Sequence, residues 1–166
     1  MMLALPTAIA AIIDAAAVKH GLAPSLLRAV CWVESRGDPW SEHPRTHARG
    51  LLQLMPKTAK DLGVTDPFNP RQNAEGGARF LANLIRRFGS VERALWAYNW
   101  GPARVASNRT PPLQVRHYAT NVLTRQAVEE SGTLVARKGD DSHHPLSPSP
   151  SSAPSSCLQG GDSKQA

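Results

Sequence analysis

Proline and glycine divide this chain at helical intervals, and that rhythm constrains the fold more than any other feature. Proline suits the first turn of a helix, where its missing N–H would have no partner anyway, and glycine suits the position just past the end. Ala23-Pro24 opens one segment, and Gly37 with Asp38-Pro39 closes it. A polar loop from Trp40 to Arg49 follows, then a Gly-led segment from Gly50 to Pro56 and a short helix to Leu62, stopped by Gly63. Asn69 is an N-cap ahead of Pro70, with Gln72 placed close to a capping box. The helix that follows carries Ala74, Ala78, Leu81, Ile85 and Phe88 as an apolar stripe and ends at Gly89. Ser90 caps the next, which runs through Ala94, Leu95 and Tyr98 and stops at Asn99-Trp100-Gly101-Pro102. Pro111-Pro112 precede a last long helix with Val115, Tyr118, Val122 and Gln126 along one side. No strand-like alternation of useful length interrupts this pattern, so an all-α fold is expected.

The two ends of the chain set its organisation. Ile9, Ile12, Ile13 and Ala16 recur at helical spacing, and Gly21 stops that run, which predicts a first helix. Ala8-Ile9-Ala10 loosely mimics a secretion cleavage site, but no basic residue precedes the apolar stretch and Asp14 follows it, so no clear signal peptide is read. No apolar run approaches the length of a membrane span. From about Ser131 the composition turns to Ser, Pro, Gly and Asp, which cannot bury enough apolar area to offset ordering entropy. One domain over residues 1–130 and a disordered Ser/Pro-rich tail over 131–166 are therefore expected. Hydrophobic residues make up 41% of 166, enough for one real core.

Charge and cysteine narrow the partners. A formal charge of +6 favours an acidic partner: nucleic acid, an anionic membrane surface or a bacterial wall polymer. The basic residues are scattered, Arg86-Arg87 being the nearest to a cluster, and no nucleic-acid-binding module is recognisable, so nucleic acid is the remote alternative. Cys31 reads as a core thiol and Cys157 lies in the tail, which is poor ground for a disulfide. Pro44 prevents a regular helix between His43 and His47, so neither a metal nor another cofactor is expected.

One carboxylate stands out. Leu27, Val30, Cys31 and Glu34 fall on a single helical stripe, so the Glu34 carboxyl shares the face that packs inward. Losing water there disfavours its charged form and raises its pKa, as a proton donor at neutral pH requires. The plainer alternative is an acid at a helix edge, paired with Arg36 or capped by solvent.

Further pieces occur in order with Glu34-Ser35: Gly50-Leu51-Leu52-Gln53-Leu54-Met55-Pro56, Asn73-Ala74-Glu75-Gly76-Gly77, Ala97-Tyr98-Asn99-Trp100-Gly101-Pro102 and Gln114-Val115-Arg116-His117-Tyr118. Together they closely resemble the lytic transglycosylases with an Slt-type catalytic domain, relatives of goose-type lysozyme, over about residues 8 to 126. The resemblance implies a lysozyme-like helical domain whose groove binds peptidoglycan and cleaves between N-acetylmuramic acid and N-acetylglucosamine. It implies Glu34 as a single general acid and base that leaves a 1,6-anhydro ring, where most glycosidases use two carboxylates. Asp38 and Glu42 are poor second acids.

Substrate-binding roles implied by the resemblance fall on Ser35, Gly50, Gln53, Met55, Tyr98, Asn99, Gln114 and Tyr118. Ser35 equally suits a helix-end hydroxyl bonding a backbone carbonyl. Gly50 permits close backbone approach, and Gln53 offers a donor and an acceptor to a sugar. Met55 can contact a sugar face or fill the core. The Tyr98 hydroxyl can reach Glu34 or the substrate acetamido group. Asn99 equally suits a left-handed helix stop, and Tyr118 equally suits core packing. Glu75 is expected to face solvent near a helix start.

The chain departs from the family pattern in three places. His47-Ala48-Arg49 stands where a Gly-Ala pair is usual, in a loop about one residue longer. Trp100 replaces a small residue between Asn and Gly, and Gln114 occupies the usual place of a glutamate. A hydrolytic muramidase on the same scaffold is the nearest alternative, and a wall-binding protein without catalysis is opposed by Glu34 itself. The expected partner is peptidoglycan in the periplasm or wall, met by a monomer. A phage or secretion-machine setting and a tail serving as a tether complete the expectation.

Overall fold

The computed structural model describes residues 4–140, with side chains described through residue 132. Among the described residues, seven helices follow the punctuation: α1 (Thr7–Lys19), α2 (Pro24–Ser35), α3 (Pro56–Asp61), α4 (Pro70–Phe88), α5 (Val91–Trp100), α6 (Pro102–Ala106) and α7 (Leu113–Asp140). Pro24, Pro56, Pro70 and Pro102 each stand at the start of a helix, the position their fixed φ favours. The all-α expectation holds: the described residues contain no strand, only isolated antiparallel bridges pairing Arg49 with Glu42 and with Leu54.

Helices α1, α2, α4, α5 and α7 enclose the core, with α1 against α2 and α4, α2 against α7, and α5 joining α4, α6 and α7. Ile13, Leu27, Val30, Leu81, Leu95 and Val122 are fully buried at its centre. Each such side chain contributes roughly 1.5–3 kcal/mol by leaving water. Leu51 and Leu52, from the segment between α2 and α3, are equally buried and anchor that segment to the helices. Helix α4 accommodates them by being thin. A Cβ at Gly77 would lie 2.9 Å from the Leu52 Cβ, and one at Gly76 would overlap Val64.

Among the local details, one matches its expectation and others differ. The Asn69 side chain caps α4 by accepting from the Arg71 and Gln72 N–H groups. Gln72 does not complete a capping box; its Oε1 accepts instead from the backbone of Thr65 and Asp66. Helix α6 was not anticipated, because its few residues carry no periodic stripe. Glu75 does not face solvent freely: it bonds Lys19 Nζ and His20 Nε2, each at 2.8 Å, tying α4 to the end of α1. Helix α7 continues past the compositional boundary near Ser131 to Asp140. The composition changes there, but the helical backbone goes on, and the Arg125–Glu129 and Gln126–Glu130 contacts at i,i+4 spacing support the turns just ahead. The remaining tail, 141–166, lies outside the described residues.

Candidate active site

Helix α2 presents Glu34 in its last turn, and the backbone then reverses sharply. Arg36 (φ 56°) and Gly37 (φ 83°) both take left-handed conformations, so the chain leaves the helix at once. Leu27, Val30 and Cys31 on the same stripe are fully buried, which leaves the half-buried Glu34 carboxyl against an apolar wall. Burial pushes that carboxyl up to about 7, against the Tyr118 hydrogen bond, which favours its charged form. The Tyr118 hydroxyl, arriving from α7, donates to Glu34 Oε1 at 2.6 Å. Burial and then the Glu34 charge hold the Tyr118 phenol well above its ordinary range, so it remains a donor. Burial also raises the Cys31 thiol to about 12, which makes it an inert part of the wall.

The opposite side is the segment from Ser41 to Met55, held by polar contacts. Asn73, fully buried in the first turns of α4, accepts from the Leu52 N–H at 2.8 Å. Its Nδ2 donates to the carbonyls of Arg49 (2.9 Å) and Pro67 (2.8 Å). Ser35 Oγ donates to the Leu51 carbonyl at 2.8 Å and accepts from the Gly37 N–H, joining the end of α2 to this segment. Tyr98, from α5, donates its hydroxyl hydrogen to the Leu52 carbonyl at 2.8 Å and stacks at a tilt on Phe80, 5.3 Å between centroids. The Glu34 charge contributes to raising the Tyr98 pKa, after burial, so the two groups are neighbours.

Beyond Tyr98 opens a cavity of about 380 Å³ lined by Thr46, Gln53, Met55, Tyr98, Trp100 and Arg104, among others. It combines aromatic faces with a few polar groups, the make-up of a site for a sugar. Neither candidate second acid is free for chemistry. Glu42 bonds His47 and Arg49, which hold it below the usual carboxylate range, and Asp38 Oδ1 accepts from the Trp40 N–H.

The family model for the transglycosylase SLT domain matches residues 11–118. The chain belongs to this family. A transglycosylase of Enterobacteria phage PRD1 is 41% identical over 109 residues, covering 58% of this chain and 41% of that protein. The membrane-bound lytic murein transglycosylase F of Desulfosudis oleivorans is 38% identical over 101 residues, 57% of this chain and 22% of that protein. This SLT chain thus spans about two fifths or less of the curated relatives it matches. Among solved structures, an inactive mutant of lytic transglycosylase Slt from Pseudomonas aeruginosa superposes with a TM-score of 0.67 at 25% identity, covering 78% of this chain and 25% of that one. The 70 kDa soluble lytic transglycosylase of Escherichia coli shares the fold, with a TM-score of 0.64 at 24% identity, over 74% of this chain and 24% of that one.

Within the SLT domain, the residues expected at the site are placed as follows. Gln53, Met55, Tyr98 and Asn99 line the cavity, and Glu34, which is not in that lining, lies close enough to Tyr98 for its charge to act on the phenol. Met55 is 45% exposed there, so it is not core filler. Ser35 bonds backbone, the plainer of its two readings. Gly50 allows close approach of its own chain, not of a ligand: a Cβ there would overlap the Pro67 carbonyl and the Asn73 amide. Gln53 donates both Nε2 hydrogens to the carbonyls of Ser41 and Gly50, leaving only an acceptor for a sugar. Tyr118, not Tyr98, contacts Glu34 through its hydroxyl, because α7 crosses α2 at that turn. Asn99 lies inside α5, and the helix stops at Gly101, whose positive φ (102°) suits glycine. Gln114 is exposed one turn before Tyr118 on α7.

Phe80 and Arg104 were not singled out from the sequence, and Asn73 stood only within a motif, with no role of its own. A signal existed for Asn73, since it extends the i,i+4 row of Gly77 and Leu81, so a polar residue occupies a core position. His43 and His47 go to different partners: His43 Nδ1 accepts from the Arg45 and Thr46 N–H groups, and His47 Nδ1 meets Glu42 at 3.0 Å.

Proposed function

We propose that this chain is a peptidoglycan lytic transglycosylase with Glu34 as its one general acid and base. The observation that carries the reading is a carboxyl raised to about 7 and oriented by the Tyr118 hydroxyl at 2.6 Å, close to Tyr98, which lines a sugar-sized cavity. Protonated Glu34 gives its proton to the glycosidic oxygen as that bond breaks. The neighbouring acetamido oxygen stabilises the positive anomeric carbon meanwhile. Glu34, now a carboxylate, takes the proton of the muramic C6 hydroxyl as O6 bonds that carbon, so no water is consumed. Near pH 7 one group serves both steps, because its two forms are comparably populated. Tyr118 holds the carboxyl and Gln53 accepts from the substrate, while Met55 and the Tyr98 ring contact sugar faces.

The setting is read from the relatives and the charge. Similarity to the phage transglycosylase favours a phage or prophage role on the wall, with secretion machinery the second setting. The formal charge of +6 assists adsorption to anionic wall material, and the working unit is a monomer.

Mass spectrometry of digested sacculi tests the chemistry. Products one water lighter than hydrolytic ones support the proposal, and hydrated reducing ends instead identify a muramidase. Intact sacculi after prolonged incubation refute both.

A further inference from the structure

The cavity beyond Tyr98 ends in a corner that the glycosidic chemistry does not use. Trp100 is the last residue of α5, and Arg104 lies in α6, which begins after the break at Gly101 (φ 102°). That reversal folds Arg104 back over Trp100. Its Nη1 donates to the Trp100 carbonyl at 2.8 Å, and its guanidinium carbon stands 5.9 Å from the indole centroid. Both residues line the cavity, and Arg104 is the sole charged residue along that lining. Among the described residues no carboxylate forms a salt bridge with Arg104.

We infer that Trp100 and Arg104 form a specificity corner for a carboxylate carried by the muramyl unit of the glycan strand. The inference rests on the groove taking peptidoglycan, as proposed above. An aromatic face accepts the C–H side of a sugar ring, and a guanidinium fixed from behind presents its remaining N–H fork to a planar anion. A strand of amino sugars offers such an anion only through the lactyl ether of muramic acid. The lactyl carboxylate is itself free where stem peptides are absent; where they are present, the stem supplies the carboxylates.

Steady-state kinetics on four soluble substrates separates these sources: strands with stem peptides, strands stripped by an amidase, and each after coupling its carboxylates to methylamine. Arg104→Gln should raise KM about tenfold on carboxylate-bearing strands, the size of one charge-assisted hydrogen bond, with kcat within about twofold. Capping the carboxylates should raise the wild-type KM by the same factor and leave that of Arg104→Gln unchanged. An effect on stripped strands assigns the lactyl carboxylate, and an effect confined to peptide-bearing strands assigns the stem. Equal KM for both proteins on all four substrates overturns the corner, as does a further loss on capping in the variant. Trp100→Phe should keep most of the affinity and Trp100→Ala should lose it, with circular dichroism reporting the fold. Calorimetric binding of stripped and peptide-bearing strands to Glu34→Gln, with and without Arg104→Gln, reads the corner without turnover. An inactive wild type that still shows this Arg104-dependent binding would sink the catalytic reading and leave the corner standing.

Discussion

Two walls meet at Glu34, and different forces build them. The α2–α7 wall is apolar: Leu27, Val30, Cys31 and Val122 are fully buried, and one hydroxyl, from Tyr118, reaches the acid. The wall from Ser41 to Met55 is held by side chains bonding backbone, through Asn73, Gln53, Ser35 and Tyr98. Its turns need left-handed backbone at His47 (φ 55°) and Gln53 (φ 46°), which non-glycine residues adopt only when held. The apolar wall sets the strength of the acid; the polar wall sets where ligand groups stand. Removing water from a carboxyl needs only a greasy face, whereas aiming a sugar contact needs fixed backbone atoms.

The sharpest way to break this comparison is Glu34→Gln. Turnover should fall by about 10²–10⁴-fold, the range of a lost general acid–base group, measured by release of anhydro products. Stability should move the other way. Since the folded state raises the Glu34 pKa from 4.5 to about 7, it holds the proton better than the unfolded chain. Wild-type stability therefore falls as pH rises from 4.5 to about 7 and stays reduced above. Urea unfolding should find Glu34→Gln more stable than wild type at pH 8, by about 2 kcal/mol, with the difference fading near pH 4.

The polar wall is next. Asn73→Ala strands the Leu52 N–H and two carbonyls in the interior, and should cost about 3 kcal/mol in urea unfolding. Equal stability to wild type would show that the segment does not depend on this residue. Gly77→Ala drives a methyl into Leu52 and should cost about 1–3 kcal/mol by the same measurement, an overpacking effect on the seam between the walls. Tyr118→Phe is the smallest change. It removes a hydrogen bond that lowers the Glu34 pKa, so the alkaline limb of the rate–pH profile should move to higher pH. The rate at its optimum should fall about tenfold.

This contrast also explains what the sequence discloses. The helices other than α6, the caps at Asn69 and Ser90, and the inward carboxyl of Glu34 follow from periodicity and punctuation. The polar wall did not follow, because its contacts join residues far apart in the chain. Asn73 Nδ2 reaches Arg49 across 24 positions, and Tyr98 reaches Leu52 across 46. The choice between Tyr98 and Tyr118 as partner of Glu34 was open for the same reason: both are tyrosines on apolar stripes, and only the crossing of α7 over α2 decides it.

Glu34 and its partner Tyr118 stand 84 positions apart along the chain. The hydroxyl belongs to α7, which packs on α2, so a chain clipped ahead of Leu113 loses both this donor and the helix beside the carboxyl.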